Sequence, residues 1–270
     1  SEMCIRDRNT GEKKAISLKL YPYIANMSKN KSYLRVLDAG TGDGTIKSNV
    51  IKSFHKYHPY TSLLITGKEI SYEDLKNTLD KMPDRFVEHP NLLVTMTNVK
   101  FSELGLIENS KKIKNKKVKE FNLVLNSNNS FDFNDQISGA SLGNFIKKNW
   151  GIEIDTKSRT SYSNPCVIRI YRKDNEKHLK QFINNDYENN NYDLIIASQA
   201  YRAASSVKVK VNNVIGPLMR LLNKSGQLLV THSCGGESIQ KILKLAFKDK
   251  EAFPNNCLLY TSDAADDSLR

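Results

Sequence analysis

The sequence predicts an α/β protein in which helices cover a mainly parallel sheet, and three observations carry this prediction. Short apolar runs with strand character alternate with segments whose apolar residues recur at helical spacing. A chain of 270 residues with 39% hydrophobic content is large enough to bury a full core. No run of about 18 uninterrupted apolar residues occurs, so no membrane-spanning segment is expected.

The two ends of the chain differ in character from the rest. Residues 1–8 (SEMCIRDR) and 257–270 (CLLYTSDAADDSLR) resemble translated sequencing-adapter read-through, and neither continues the periodicity of its neighbour. A genuine polar tail is the alternative. We expect the domain to occupy residues 9–256, to be a fragment that lacks its C-terminal part, and to leave residues 257–270 outside the sheet.

The regular part of the domain reads as alternating strands and helices. The predicted elements, in chain order, are strand 34–40, helix 44–58, strand 62–66, helix 71–82, strand 91–99, strand 192–198, helix 211–222, strand 226–233 and helix 237–247. The helix at 44–58 places Ile46, Val50 and Phe54 on one face. The helix at 71–82 begins with Ser71 and has Asp74 three residues later, which is an N-terminal capping pattern.

A segment at 115–190 interrupts this alternation. It contains strand candidates at 121–125 and 166–172 and helix candidates near 134–149 and 175–184. We interpret it as an α+β insertion that folds onto the core domain as a cap.

Net charge and cysteine content limit the kinds of partner and the cellular location that we expect. The net charge of +12 becomes about +14 without the two ends, which carry 0 and −2. This excess of positive charge is compatible with an anionic partner such as RNA, which would contact the lysine-rich segment 111–120. The alternative is that this segment is a basic loop exposed to solvent. Outside the two ends only Cys166 and Cys234 remain, too few for a zinc site or a disulfide framework. We therefore expect a reducing, cytoplasmic location and no metal.

The run VLDAGTGDGT at 36–45 is the main functional signal. A strand leads into Gly40, Gly42 and Gly44, which allow a ligand to approach the backbone, and a helix follows. The spacing excludes a dinucleotide fingerprint, because Thr45 stands where the third glycine belongs, and no Gly-Lys-Ser/Thr follows for a phosphate loop. Asp38 and Asp43 repel phosphates and favour a ligand that carries an ammonium or sulfonium charge.

This run resembles motif I of the class I S-adenosyl-L-methionine-dependent methyltransferases, and the resemblance extends over about 34–101 and 192–245. TGKEIS at 66–71 is similar to the end of that family's second strand, and LLVTMTNVKF at 92–101 to the end of the third. YDLIIASQAYRA at 192–203 and the helix-turn-strand at 218–236 look like the continuation. The four pieces occur in the family's order.

The resemblance implies a Rossmann-like three-layer sandwich with strand order 3-2-1-4-5. The family closes its sheet with an antiparallel hairpin, and we expect that hairpin to be missing from this chain. It implies S-adenosyl-L-methionine as the cofactor, with Glu69 holding both ribose hydroxyls and Asn98 near the adenine amine. The implied cofactor-binding residues are Asp38, Ala39, Gly40, Thr41, Gly42, Asp43, Gly44, Glu69, Ile70, Asn98 and Ser198.

The acceptor and the catalytic residues are less defined by the sequence. Ser198, Gln199 and Tyr201 follow the fourth strand and His232 ends the fifth, so Tyr201 and His232 are the catalytic candidates. Trp150, Tyr162 and Arg169 are predicted to include part of the acceptor pocket's wall. ASQAYR stands where nucleic-acid amino-methyltransferases carry Asn-Pro-Pro-Tyr, which favours a small-molecule acceptor. The alternatives are an aminopropyltransferase and an inert methyltransferase-like module that binds RNA.

Overall fold

Eight strands form one sheet in the computed structural model, which describes residues 12–107, 112–113, 115–154, 160–184, 191–198, 200–201, 206–232 and 259–261. The described strands are β1 Tyr33–Ala39, β2 Ser62–Lys68, β3 Leu92–Thr97, β4 Lys112–Ile113, β5 Lys116–Lys117, β6 Lys119–Leu125, β7 Ile152–Ile154, β8 Thr160–Tyr162, β9 Cys166–Arg172, β10 Tyr192–Ser198, β11 Leu222–His232 and β12 Leu259–Thr261.

Helices and helical turns connect these strands. The described helices are α1 Glu12–Ala25, α2 Thr45–Tyr57, α3 Tyr72–Leu79, α4 Pro83–Glu88, α5 Ser130–Ile137, α6 Ala140–Asn149, α7 Glu176–Asn184, α8 Val207–Lys210 and α9 Gly216–Met219. A π-helical turn at Val211–Ile215 joins α8 to α9, and 3₁₀ turns lie at Phe101–Leu106 and Lys173–Asn175. No helix in the described ranges has the length and apolar character needed to cross a membrane.

The order of the main sheet is β12-β11-β10-β1-β2-β3-β9-β6. It contains the predicted order 3-2-1-4-5 as β3-β2-β1-β10-β11, and these five strands run parallel to one another. The Rossmann-like α/β fold is therefore confirmed. The chain moves away from β1 toward β2 first and returns to β10 later, so the strand order reverses at β1. Ligands of open α/β sheets bind at such a reversal, outside the carboxyl ends of the strands.

The segment between the third and fourth strands requires a correction, because it extends the main sheet and is not a cap. β9 pairs antiparallel with β3 from Thr97↔Val167 to Leu93↔Tyr171, and β6 pairs parallel with β9. All seven residues of β9 are buried. Without β9 the apolar strand β3 would have an unpaired edge, and pairing with β9 satisfies its backbone groups.

The prediction for the C-terminal residues is wrong at 259–261. These residues form β12, which pairs parallel with β11 in the register Val230↔Leu259, Thr231↔Tyr260 and His232↔Thr261. An edge strand presents unpaired N–H and C=O groups, and the run LLYT has the apolar and β-prone residues that such an edge accepts. The origin of residues 1–8 and 257–270 stays a prediction, as does the absence of a closing hairpin.

Several boundaries also differ from the predictions. The helix predicted at 134–149 is divided into α5 and α6 at Ser138 and Gly139. The helix predicted at 211–222 begins earlier, at Val207, and β11 already begins at Leu222. The prediction missed α1 although Ile16, Leu20 and Ile24 recur at helical spacing and are buried. The helix predicted at 237–247 lies outside the described residues.

Side chains alternate between the two faces of the sheet and define its layers. Leu34 and Val36 of β1 pack with α1 to α6 on one face, whereas Leu37 and Ala39 pack on the opposite face with the π-helical turn and α9. A smaller cluster on that second face joins Tyr171 of β9 to α7. This arrangement is the three-layer sandwich expected for the fold.

His89 is buried beside the half-buried His55. His55 Nδ1 is 3.2 Å from His89 Nδ1, and His89 Nε2 lies 3.1 Å from the Thr61 carbonyl oxygen. Burial, with a smaller contribution from His55, lowers the pKa of His89 to about 4. The folded state therefore holds His89 neutral at a pH where the unfolded chain has begun to protonate it.

We expect His89 to contribute a loss in the free energy of unfolding as the pH decreases from about 6.5 to about 4, and Asp38, whose pKa is raised to about 6, to act in the opposite direction over much of that range. The unfolded chain gains a proton on His89 in that range and the folded chain does not, which corresponds to about 3 kcal/mol. Urea unfolding at a series of pH values measures this loss. The stability difference between wild type and His89→Gln should therefore change by about 3 kcal/mol across this range, whereas the difference between wild type and His178→Gln, at a residue hydrogen-bonded to Ser62 and Gln181, should change much less. An equal slope in His89→Gln would contradict the assignment.

Candidate functional site

The site is built around the turn that connects β1 to α2. Gly40 and Thr41 donate their N–H groups to the Lys68 carbonyl oxygen, at 3.2 and 3.0 Å, which ties the turn to the end of β2. Gly40, Gly42 and Gly44 all have positive φ angles, of 87°, 54° and 77°. Such angles favour glycine, so the backbone of this turn explains the spacing of the three glycines.

The three glycines of the turn differ in the space beside them. A Cβ at Gly40 would lie 3.1 Å from Ala200 Cα, and a Cβ at Gly44 would lie 2.8 Å from Thr78 Cα. These two glycines are required by the packing of the protein itself. A Cβ at Gly42 would meet no atom within 4 Å in the part of the chain that the structure describes. The open side of the turn therefore lies at Gly42.

Glu69 fastens this turn from the end of β2. Its Oε2 accepts a hydrogen bond from the Gly42 N–H at 2.8 Å, and its Oε1 accepts from the N–H groups of Ile70 and Ser71, at 2.7 and 2.8 Å. The carboxylate is buried, with 8% of the residue exposed. Since Oε1 already accepts two hydrogen bonds and Oε2 accepts one, Oε2 has capacity for one further donor.

Asp43 is occupied by the protein. Its carboxylate accepts hydrogen bonds from the Thr45 N–H and hydroxyl at 3.1 and 2.9 Å, and it forms ion pairs with Lys13 at 3.0 Å and Lys81 at 3.7 Å. Burial alone would raise the pKa of Asp43, but the hydrogen bonds from Thr45 and Lys13 hold it below the usual value. Asp43 therefore connects the start of α2 to the start of α1.

Asp38 is buried beneath the turn with unused hydrogen-bonding capacity. It is 1% exposed, and its Oδ2 has no hydrogen-bond partner among the described residues. Burial raises the pKa of Asp38 to about 6, and the charges of Glu69 and Asp43 add to this rise, whereas Lys47 and the Thr41 hydroxyl oppose it. A buried carboxylate oxygen without a partner is costly for the fold and is therefore a marker of a ligand contact.

Asn98 connects β3 to β9. Its Nδ2 donates to the Asn164 carbonyl oxygen at 2.9 Å, and its Oδ1 accepts from the Cys166 N–H at 2.8 Å. Both ends of the amide are therefore engaged, and the residue is 1% exposed. The adenine contact stays a prediction, and it would have to share this amide with the protein.

The substrate-side candidates follow β10 at the same edge of the sheet. Ser198 is buried and accepts a hydrogen bond from the Thr231 hydroxyl at 3.2 Å. Tyr201 packs on the second face, where the ammonium of Lys210 lies 5.4 Å from its ring centre, and burial raises the pKa of the phenol to about 12. The side chain of His232 and all of Gln199 lie outside the described residues.

The three residues predicted to line one acceptor pocket do not share a surface. Trp150 belongs to the core cluster on the face of α1 to α6, whereas Tyr162 belongs to the cluster on the opposite face. Arg169 forms an ion pair with Glu120 at 2.9 Å and is 5% exposed. This prediction is therefore wrong as a single pocket wall, because β9 inserts into the sheet and carries its neighbours to both faces.

Sequence reasoning missed Lys47 as a member of the site. Lys47 lies on the inward face of α2, is 0% exposed, and donates to Met96 Sδ at 2.8 Å. Its position three residues after Gly44, on the apolar face of the predicted helix, was the available signal. A lysine on such a face has to be balanced by an anion or become neutral.

Comparisons with known proteins add little to this description. No family model and no curated protein matches the chain. Among solved structures, the chain is similar to MnmC2 from Aquifex aeolicus, with 12% identity, a TM-score of 0.33, and 85% of this chain and 51% of that chain covered. The chain thus spans about half the length of that structure. A likeness this distant supports no functional inference, so the residues around the glycine turn have to provide it.

Proposed function

We propose that the chain binds S-adenosyl-L-methionine at the turn 40–44 and transfers its methyl group to an acceptor. The observation that carries this proposal is the open side at Gly42, where φ is 54° and a Cβ would meet nothing within 4 Å. The protein's own packing excludes a Cβ at Gly40 and Gly44, whereas at Gly42 the φ angle favours glycine and the space beside it is open. A ligand that lies against the backbone at Gly42 would explain this open space.

The charges around the turn favour a cationic ligand. Asp38 has a buried Oδ2 that no described residue bonds, and Glu69 lies between the turn and the start of α3. An ammonium group can donate to the free oxygen of Asp38, whereas a phosphate would be repelled by both carboxylates. The cofactor proposed here has an ammonium and a sulfonium and no phosphate, which agrees with these charges.

The hydrogen bonds of Glu69 refine its proposed role. Three backbone N–H groups already occupy its carboxylate, so one ribose hydroxyl can bind Oε2 without disturbing the turn. A second ribose hydroxyl could bind Glu69 only if the hydrogen bond from the Gly42 N–H were broken. We therefore propose a single ribose contact to Glu69, in place of the two that the sequence resemblance implies.

The chemistry requires little acid–base assistance from the chain. The bound cofactor supplies a methyl group whose bond to sulfur breaks as the bond to the acceptor forms, and the sulfur leaves as a neutral thioether. Proximity and in-line orientation supply most of the rate enhancement in such a transfer. In this proposal Ser198 and Tyr201 lie beside the acceptor, and the protonated phenol of Tyr201 acts as a hydrogen-bond donor.

A small-molecule acceptor is the version that we propose, with a nucleic acid as the other outcome of the test. Lys112 and Lys117 of the basic segment are exposed, but Lys116 binds Glu153 at 3.1 Å and the Ser163 carbonyl oxygen at 2.7 Å. Lys116, one of the central lysines, therefore binds the β7–β8 hairpin and its following residue Ser163. The remaining exposed lysines can be titrated with RNA directly.

Gly42→Ala tests the cofactor site. The added methyl group should occupy the open side of the turn and weaken S-adenosyl-L-methionine binding at least tenfold, about 1.4 kcal/mol, measured by isothermal titration. The positive φ should cost about 1 kcal/mol of stability. Gly143→Ala is the matched control, because a Cβ there also meets nothing within 4 Å but the residue lies on α6.

Binding that is unchanged in Gly42→Ala would refute the proposal. Stronger binding of decarboxylated S-adenosylmethionine than of S-adenosyl-L-methionine would instead favour the aminopropyltransferase. Tight binding of RNA without binding of either cofactor would favour the inert RNA-binding module.

A further inference from the structure

Lys47 lies in a narrow gap beneath the glycine turn. Asp38, Gly67 and Met96 are direct neighbours across β1, β2 and β3, in the registers Asp38↔Gly67 and Gly67↔Met96. Lys47 reaches over this row from α2, and a Cβ at Gly67 would clash with its Nζ. The ammonium therefore occupies space that only a glycine in β2 leaves free.

The surroundings of this ammonium call for an anion. Its hydrogen-bond partner, Met96 Sδ, is a thioether and hence a weak acceptor without charge. Burial lowers the pKa of Lys47 to about 8, and the negative charge of Asp38 is what opposes the fall. Lys47 and Asp38 thus balance each other's charge within the core.

The other carboxylates near Asp38 have partners of their own. Asp43 pairs with Lys13 and Lys81, and Glu69 accepts three backbone N–H groups. Both raise the pKa of Asp38 by their negative charge, and Lys47 is the cation that counters them among the described groups that act on Asp38. Removing Lys47 would leave a buried carboxyl group with two anions as its charged neighbours.

We propose that Lys47 is a positioning residue that keeps Asp38 ionised beneath the glycine turn, so that Asp38 can bind the ammonium at the amino-acid end of the cofactor. This inference rests on the proposed function and adds a residue that acts through Asp38. A neutral Asp38 would lack the charge that attracts an ammonium, so Lys47 sets the pH range in which the cofactor binds.

Lys47→Met tests the inference, because methionine fills similar space without a charge. S-adenosylhomocysteine, which has the amino-acid end, should bind the variant at least tenfold more weakly at pH 7.5. Methylthioadenosine, which lacks that end, should bind within about twofold of the wild type. In the wild type, affinity for S-adenosylhomocysteine should fall below a midpoint near pH 6, where Asp38 gains a proton. The midpoint should move upward in Lys47→Met.

Two further variants make the test specific. Lys52→Met removes an exposed lysine from the same helix and should leave both affinities and the midpoint unchanged. The double variant Asp38→Asn with Lys47→Met contains no buried charge at this position, so it should fold, and it should bind S-adenosylhomocysteine no more tightly than Lys47→Met. Thermal unfolding of each variant confirms that the fold is retained.

The outcomes separate this inference from the proposed function. Equal weakening of both ligands in Lys47→Met, with an unchanged midpoint, would overturn the role of Lys47 but leave the cofactor site intact. If the wild type bound neither ligand, the proposed function would fail. Titration of the Asp38 carboxyl by carbon-13 NMR in the free protein would then decide whether Lys47 controls its charge, and identical titration in wild type and Lys47→Met would refute that control.

Discussion

Deletion of residues 115–188, replaced by a short linker, is expected to unfold the protein. The deletion removes β9, whose Val167, Ile168 and Ile170 are each 0% exposed, and it leaves the apolar strand β3 as an open edge. Each such side chain contributes about 1.5–3 kcal/mol through burial, and a whole domain is stable by only about 5–15 kcal/mol. Circular dichroism should show loss of cooperative melting, and cofactor binding should be lost with it.

Two point substitutions in the same segment provide a matched comparison. Ile168→Ala should lower the free energy of unfolding by about 2–5 kcal/mol, because it opens a cavity in the core. Phe131→Ala, at a residue that is 73% exposed, should change it by less than about 0.5 kcal/mol. A deletion variant that stayed folded and still bound S-adenosyl-L-methionine would restore the interpretation of the segment as a cap.

Glu69→Gln is expected to weaken S-adenosyl-L-methionine binding by about 1.5–3 kcal/mol, roughly ten- to hundredfold, the scale of a hydrogen bond to a charged group. The amide oxygen can still accept the Ile70 and Ser71 N–H groups, but the amide nitrogen then faces the Gly42 N–H, which is also a donor. The turn keeps its bonds to the Lys68 carbonyl oxygen but loses the contact between Gly42 and Glu69, and the proposed ribose contact loses its charged acceptor. Isothermal titration measures the affinity.

Glu73→Gln is the control for this substitution. Glu73 is an exposed acid in the first turn of α3, four residues further along the chain, and its replacement should leave binding within about twofold. Comparable weakening in both variants would mean that general negative charge, and not the contact to Gly42, is responsible. Equal binding by Glu69→Gln and wild type would remove Glu69 from the site.

Local patterns in the sequence predicted most of the regular elements. The strands at 166–172 and 192–198 have the predicted limits, and Ser71 caps α3 by accepting the Asp74 N–H at 3.2 Å. These features depend on residues a few positions apart, where alternation, helical spacing and capping act directly. The reversal of strand order at β1 followed from the resemblance to a known family.

The roles of the acidic residues could not be predicted in the same way. Asp43 and Glu69 look alike in the sequence as acids beside a glycine turn, yet Asp43 is paired with Lys13 of α1 and with Lys81 from the turn after α3, whereas Glu69 binds the backbone of the turn. Lys47 looked like an ordinary helix lysine. Each role depends on partners that are distant in the chain, and no local pattern records which partners meet.

The sequence by itself determined the class of fold and the location of the glycine turn, because both arise from short-range spacing and from the limited ways in which parallel strands can be connected. Only the tertiary structure decided that β9 lies within the sheet, that 259–261 pair with β11, and that Lys47 reaches Gly67, the strand neighbour of Asp38. The physical reason is that edge pairing and the balance of buried charge depend on which segments come together in space. In this protein the residues that meet at the site come from β1, α2, β2 and β3.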